Sequence, residues 1–284
     1  MLVHFIKASQ LEHPSPSLFR VVIDRVSFCD SFLRQVMRYW SVGGTYVLNN
    51  PFFTLVVDKL SELHLYDALS IHHARTILIP SGKPAEETAE LVSNPDWEAI
   101  GERVGFPCII KPVDGYAWQD VFRAEDPSTL RSLYESLKNR HTLIVQQLVS
   151  YSSYFRAFSI GRQDVLLCRW DPLPFDRGVY SLPVPGELDR GLEDFIREKT
   201  IALNKGLGLD FNAVEWCITP EGVPMVIDSY NDVPDVRREK LPPECYDWVV
   251  DRFCACVREK AVSDQCNSPL PGFMQGSEPG ALPR

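Results

Sequence analysis

Two apolar runs near the end of the chain, FNAVEWCI and PMVIDSY, are separated only by TPEGV, and the second continues directly into Asn231 and Asp232. Runs of this length on either side of a Pro/Gly segment predict two adjacent antiparallel strands. Glu215 on the first and Asp228 on the second then face one another. Like charges on facing positions repel unless a cation lies between them. Oxygen donors on this plan suit Mg²⁺, which completes its shell with water and substrate phosphate oxygens. An exposed acidic strand end is the other reading of the same residues.

A lysine is the second constraint. Lys111 lies in the apolar run CIIKPV, where a charge either snorkels to the sheet surface or meets a counter-charge. The turn DGYAW follows at once. Gly115 there lets backbone N–H groups approach an anion while the lysine supplies a point charge, a combination suited to a nucleotide phosphate. Neither a Walker lysine loop nor a G-x-G-x-x-G turn is present, and no Ser-His-Asp or Cys-His order is defensible as a catalytic set, which argues against hydride transfer and covalent hydrolysis.

The rest of the chain alternates strand and helix patterns. FRVVID, TYVLNN, RTILIP, FPCIIKPV, DVFRAE, TLIVQQLV, YFRAFSIG and DVLLCRW read as strands. Helices are expected at DSFLRQVMRYW, at FFTLVVDKLSELHLYDAL, before Gly105, at DPSTLRSLYESLKN, from Glu187 to Gly206, and at CYDWVVDRFCACVREK. This order predicts an α/β (α+β) chain in four parts. A lead-in segment over 1–78 is too short to cover a doubly wound sheet by itself. A small subdomain over 79–145 and a large subdomain with the metal site over 146–261 follow. The composition of 262–284, rich in Pro, Gly and Ser, predicts a disordered tail.

Composition narrows the partners. With 284 residues, 45% of them hydrophobic, the chain can bury a substantial core. No apolar stretch reaches about eighteen residues, and MLVHFIKASQLEHPSPS lacks the layout of a signal peptide, so no membrane is expected and the cytoplasm is the expected compartment. A net charge of −9 without a basic run disfavours nucleic acid. Cys108, Cys168 and Cys217 sit in strand-like runs as small hydrophobes, and no structural disulfide is expected. Cys245, Cys254, Cys256 and Cys266 lack the paired spacing of a zinc site.

Taken together, the motifs resemble the ATP-grasp superfamily, of the glutathione-synthetase-like kind and within it a poorly characterised group, over about 24–260. The resemblance implies two α+β subdomains clamping ATP with Mg²⁺, for which Mn²⁺ can substitute. It implies phosphate contacts for Lys59 and Lys111, with Lys111 also near adenine N7, and a phosphate-covering loop at Gly115. Gln147, Leu148 and Val149 of IVQQLV would line the adenine edge through backbone groups. Arg156 of YFRAFSIG and Arg169 of LLCRWDP would clamp a carboxylate or the transferring phosphate, a task guanidinium suits. Glu215, Asp228 and Asn231 would ligate the metal, with Asn212 helping near the phosphates. The implied activity joins a small-molecule carboxylate to an amine, or to a thiol, through an acyl phosphate, releasing ADP and phosphate. Homo-oligomerisation is left open. A small-molecule kinase is one alternative. A non-catalytic ATP binder is another, because the loop carries Gly115 alone where relatives often have two or three glycines, and Gln147 replaces a frequent glutamate.

Overall fold

The computed structural model describes residues 3–15, 17–53, 58–82, 94–115, 118–170 and 179–267. The lead-in part begins with β1 (Val21–Ile23), α1 (Ser31–Val42) and β2 (Tyr46–Leu48). Asp30 starts α1 by accepting a hydrogen bond from the Leu33 N–H, the usual way an acidic N-cap satisfies an otherwise unpaired donor. β1 and β2 pair in parallel, and Val22, Val36, Met37 and Val47 close a small core between strand and helix. The lead-in part then supplies α2 (Glu62–Ala68) and the two-residue β3 (His72–His73).

Next come β4 (Thr76–Ile79), α3 (Trp97–Val104), β5 (Cys108–Pro112), β6 (Phe122–Ala124), α4 (Pro127–Leu137) and β7 (Leu143–Gln147). The strands form an antiparallel sheet in the order β4-β7-β5-β6. Asp96 and Asp126 cap the two helices, and α3 ends at Gly105, whose φ of 77° a side chain would strain. Ile79, Ile110, Leu143 and Val145 pack on Ile100, Val104, Leu130 and Leu137, so both helices cover one face of this sheet. Its other face is left for the site.

The remaining elements are β8 (Ser153–Ile160), β9 (Asp164–Arg169), α5 (Arg190–Leu207), β10 (Phe211–Ile218), β11 (Pro224–Asp228) and α6 (Pro243–Val262). They build a five-stranded sheet in the order β3-β11-β10-β8-β9, in which only β3 runs parallel to its neighbour. Every residue of β8 and β10 is buried. On one face Leu65 and Tyr66 of α2 and Leu203 and Leu207 of α5 pack on Phe155, Val214 and Trp216. On the other, Tyr154, Phe158 and Cys217 pack with Leu241 and Cys245. Among the described residues no helix is long and apolar enough to cross a membrane.

The elements follow the sequence expectations with physical exceptions. The helix expected over FFTLVVDKLSELHLYDAL is confined, among the described residues, to Glu62–Ala68, and 54–57 lie outside them. Asp58 accepts from the N–H groups of Leu60 and Ser61 at 2.8 Å and turns the chain just before α2. β3 was not expected, since two histidines at a sheet edge carry no period-2 signal. Part of the helix region before Gly105, 83–93, lies outside the described residues, as does 268–284 of the expected tail. Residues 263–267 are described, and the Asn267 amide pairs with the backbone of Val47, accepting at 2.7 Å and donating at 2.9 Å.

Trp216 shows how the large core is specified: it is fully buried and donates its indole N–H to Thr200 Oγ1 at 3.0 Å. Trp216→Ala is expected to cost about 3–5 kcal/mol through the cavity it leaves and the donor it removes. Denaturant unfolding checks this, and a midpoint unchanged from the native protein would contradict it.

Candidate functional site

Between the free face of the four-stranded sheet and the end of the five-stranded sheet lies a cleft of about 370 Å³. β5 supplies one wall because its side chains alternate: Cys108 and Ile110 are buried in the core, while Ile109 and Lys111 line the cleft, joined at the strand end by Pro112. Gln146, Gln147, Leu148 and Val149 continue along the back as the chain passes from the small sheet to the large one. The large sheet contributes Tyr154, Arg156, Glu215, Ile227 and Asp228, with Tyr230 and Asn231 just beyond β11. Lys59 and Ala74 come from the lead-in part. Gly115 also lines the space, and a Cβ there would stand 3.1 Å from the Pro112 ring.

A row of charge crosses three neighbouring strands. Glu215 on β10 is in register with Arg156 on β8 and with Asp228 on β11. The second pairing depends on a bulge. Trp216 pairs with Val226, yet the next residue of β10 pairs with Asp228 and not Ile227. The extra residue turns Asp228 toward Glu215, whereas simple alternation from Val226 would place Asp228 two positions along, opposite Val214. Re-aiming a side chain near a site is a recurrent use of a bulge.

The row is held by charge-assisted hydrogen bonds. Arg156 donates to Glu215 Oε1 from Nε at 3.1 Å and from Nη2, and Tyr154 OH donates to Oε2 at 2.6 Å. Arg156 Nη1 also donates to Tyr180 OH at 2.8 Å, and its guanidinium lies 3.9 Å over the Trp170 ring. Lys59 Nζ donates to Asp228 Oδ2 at 2.7 Å, and the Tyr230 N–H donates to Oδ1 at 3.1 Å. A third carboxylate, Glu62 of α2, accepts from Tyr66 OH at 2.6 Å and Ser229 Oγ at 2.7 Å.

These partners set the ionisation of the cleft. Burial pushes the Asp228 carboxyl up, but Lys59, Lys111 and the hydrogen bond from Lys59 outweigh it and hold the group below the usual carboxylate range. Burial likewise opposes the charge on Lys59, and Asp228 and then Glu62 overcome it and raise the ammonium above the usual range. Glu62 is pushed up by burial and by the charge of Asp228. Lys111 is pushed down to about 8, first by burial and then by the like charge of Lys59.

Of the residues singled out from sequence, Lys59, Lys111, Gly115, Gln147, Leu148, Val149, Arg156, Glu215, Asp228 and Asn231 all line this cleft. Asn212 does not. It is fully buried behind the site, donating to the Ser229 carbonyl at 2.7 Å and accepting from the Asn231 N–H at 2.8 Å, so it fixes the backbone that carries Asn231. Arg169 also stays outside, and the expectation that it shares the cleft with Arg156 is corrected by strand parity. Arg156 pairs with Cys168, so Arg169, opposite Phe155, belongs to the other face of the sheet. It is paired there with Glu187 at 3.5 Å. Glu62, Tyr154 and Tyr180 were missed. Only the spacing of Glu62, three after Lys59 and four before Tyr66, hinted at a helix face beside the site.

Solved structures share this architecture. D-alanine–D-alanine ligase from Bacillus anthracis, complexed with ATP, matches with a TM-score of 0.60 over 86% of this chain and 79% of its own, at 15% identity. VanG D-Ala:D-Ser ligase from Enterococcus faecalis matches at 0.56 over 78% and 68%, also at 15% identity. The ATP-grasp ligase PsnB, complexed with minimal precursor, Mg and ADP, matches at 0.55 over 80% and 68%, at 19% identity. The chain has an ATP-grasp fold. No protein-family model matches the sequence, and no curated protein does.

Within this ATP-grasp fold the oxygen donors fit a hard divalent cation. Two carboxylates in register and the Asn231 amide face a space lined by lysines. Among the described residues no group of three or more His, Cys, Asp or Glu could hold a metal on its own. A cation here would therefore need further oxygens, which is how Mg²⁺ uses phosphate and water.

Because Lys111 titrates near 8 against an ordinary value of 10.5, the unfolded chain binds more protons across that window, and raising the pH through it favours the folded state. Lys111→Met removes that cost. Its thermal midpoint at pH 7 is expected roughly 3 °C above the native protein, with the advantage narrowing as the pH rises from 8 toward 10. A lower midpoint at pH 7 would show that the neighbouring carboxylates depend on Lys111 more than burial penalises it.

Proposed function

We propose that this protein is an ATP- and Mg²⁺-dependent ligase that joins a carboxylate to an amine, or to a thiol, through an acyl-phosphate intermediate, with ADP and phosphate as products. The observation that carries the reading is the meeting of Lys59 and Lys111 with the row Arg156–Glu215–Asp228 in one cleft between two sheets. Structures of the same fold that contain ATP, or Mg and ADP, belong to ligases and support it. A cytoplasmic location suits an enzyme that draws on ATP.

In this reading the backbone of Gln147, Leu148 and Val149 receives the adenine edge, and Ile109 and Ile227 offer apolar surface to the base. Lys59 and Lys111 neutralise the phosphates. Glu215, Asp228 and Asn231 would hold Mg²⁺, or Mn²⁺ in its place, and the bound cation would neutralise charge on the phosphates. Asn212 keeps Asn231 in position. Arg156 holds Glu215 and edges the substrate side with its remaining N–H groups, while Arg169 takes no part.

The chemistry that these groups serve is attack of one anion on another. A substrate carboxylate oxygen bonds to the γ-phosphorus as the bond to the β-phosphate oxygen breaks, and cations screen the repulsion while the cleft fixes the approach. The amine then adds to the acyl carbon, loses a proton, and phosphate departs. Small-molecule carboxylates and amines are the partners this requires.

Calorimetric titration with a non-hydrolysable ATP analogue, with and without Mg²⁺, tests the reading. Asp228→Ala and Asn231→Ala are each expected to weaken Mg²⁺-dependent binding by about tenfold or more, close to 1.4 kcal/mol, while far-UV circular dichroism stays native. Unchanged affinity in both would remove the metal assignment. Phosphate release in a screen of carboxylates with amines identifies the ligase, whereas a stable phosphorylated product without amine identifies a kinase.

A further inference from the structure

Every oxygen of Glu215 and Asp228 already faces a protein donor. Arg156 and Tyr154 take the two oxygens of Glu215, and Lys59 and the Tyr230 N–H take those of Asp228. Three carboxylates, Glu62, Glu215 and Asp228, stand with three cations, Lys59, Lys111 and Arg156, around the cleft and the small pocket beside it. The formal charges cancel. A free divalent ion would add two positive charges to a neutral cluster, beside cations already in contact with its carboxylates.

The two cations paired with the row differ in how they are held. Arg156 is only 5% exposed and is fixed by Glu215, Tyr180 and the Trp170 ring together. Among the described residues Lys59 is anchored by Asp228, at the end of a flexible four-carbon stem. Its backbone N–H lies 3.4 Å from the Val113 carbonyl, two residues before Gly115. The root of the side chain is thus beside the turn that follows Lys111, and the ammonium can reach either Asp228 or an anion at that turn.

We infer that Lys59 is a positioning residue that occupies the cation place on Asp228, so that the cleft accepts a divalent ion only together with a polyphosphate. This rests on the nucleotide reading above. The polyphosphate draws Lys59 off Asp228 and brings enough negative charge to balance the entering ion. Metal and nucleotide each raise the affinity for the other by the same factor, as linkage requires. A free cation or a nucleotide without metal binds poorly.

Mn²⁺ binding, followed by the loss of the free-ion signal in electron paramagnetic resonance, tests this without turnover. The native protein is expected to bind Mn²⁺ with ADP present and to bind Mn²⁺ alone at least about tenfold more weakly. Lys59→Gln keeps a hydrogen-bond donor for Asp228 but removes the charge. It is expected to bind Mn²⁺ alone about tenfold more tightly than the native protein, and adding Asp228→Asn should abolish that gain. Lys59→Met provides a second variant if the first does not fold. Equal Mn²⁺ affinity with and without ADP in the native protein, or native Mn²⁺ affinity in a folded Lys59 variant, overturns the inference while leaving the nucleotide site standing. Failure of the native protein to bind Mn²⁺ with ADP removes the nucleotide reading and the inference with it.

Discussion

Glu215 and Asp228 are neighbours across a strand pair, and most of the cleft can be understood as compensation for that placement. Two carboxylates on facing positions of neighbouring strands repel unless cations stand close by. The large sheet supplies one, Arg156, from the next strand in the same row. The others come from elsewhere in the chain: Lys111 from the small sheet and Lys59 from the lead-in part. Bringing three separate segments to one place is what the fold has to achieve, and the connections that join them make sense in that light.

The lead-in part is tied down accordingly. Its β1–β2 unit has a small core of its own, but α2 and β3 belong physically to the large sheet, where Leu65 and Tyr66 pack on the strands and β3 extends the edge beside β11. Asn49 reinforces the junction, its carbonyl oxygen accepting from the N–H groups of Asp210 and Phe211 while its amide donates to the carbonyls of Phe211 and Asp232. Glu62, Tyr66 and Ser229 then form a buried, mutually satisfied network directly behind Asp228. Such a network favours one arrangement because a partly satisfied alternative would strand polar groups away from water. The position of Lys59 follows from it, three residues upstream of Glu62.

Much of this could be read in the sequence where the signal is local. The apolar runs around Glu215 and Asp228 with their short connection indicated the strand pair, and Lys111 stood out because a lysine in an apolar strand demands a partner. What could not be read depends on register between distant strands. Nothing local says that Arg156 lies opposite Glu215, so the arginine looked free for substrate when it is largely committed to the carboxylate. Arg169 looked equivalent to Arg156 because both are cations on adjacent strands, yet the pairing with Cys168 puts them on opposite faces. The bulge before Asp228 is also invisible in a run as short as PMVID, although it decides which way that side chain points. Glu62 escaped because its burial is created by tertiary packing of α2, a short helix whose start the apolar pattern placed too early.

The same geometry bears on how the two sheets work together. The carboxylates and Arg156 sit on the large sheet, whereas Lys111 and the turn at Gly115 sit on the small one. Lys111 is pushed down to about 8 by burial and by Lys59, so its charge is disfavoured in the cleft. An anion bound at the turn would relieve it directly, since an opposite charge beside a lysine favours the protonated form. Such an anion would simultaneously face Lys59 and any cation held by Asp228 and Asn231. A polyphosphate is long enough and sufficiently charged to touch all of these at once, and a single carboxylate is not. Under the proposed function, binding of such a ligand would therefore strengthen contacts on both sheets together, which would favour a nucleotide over smaller anions.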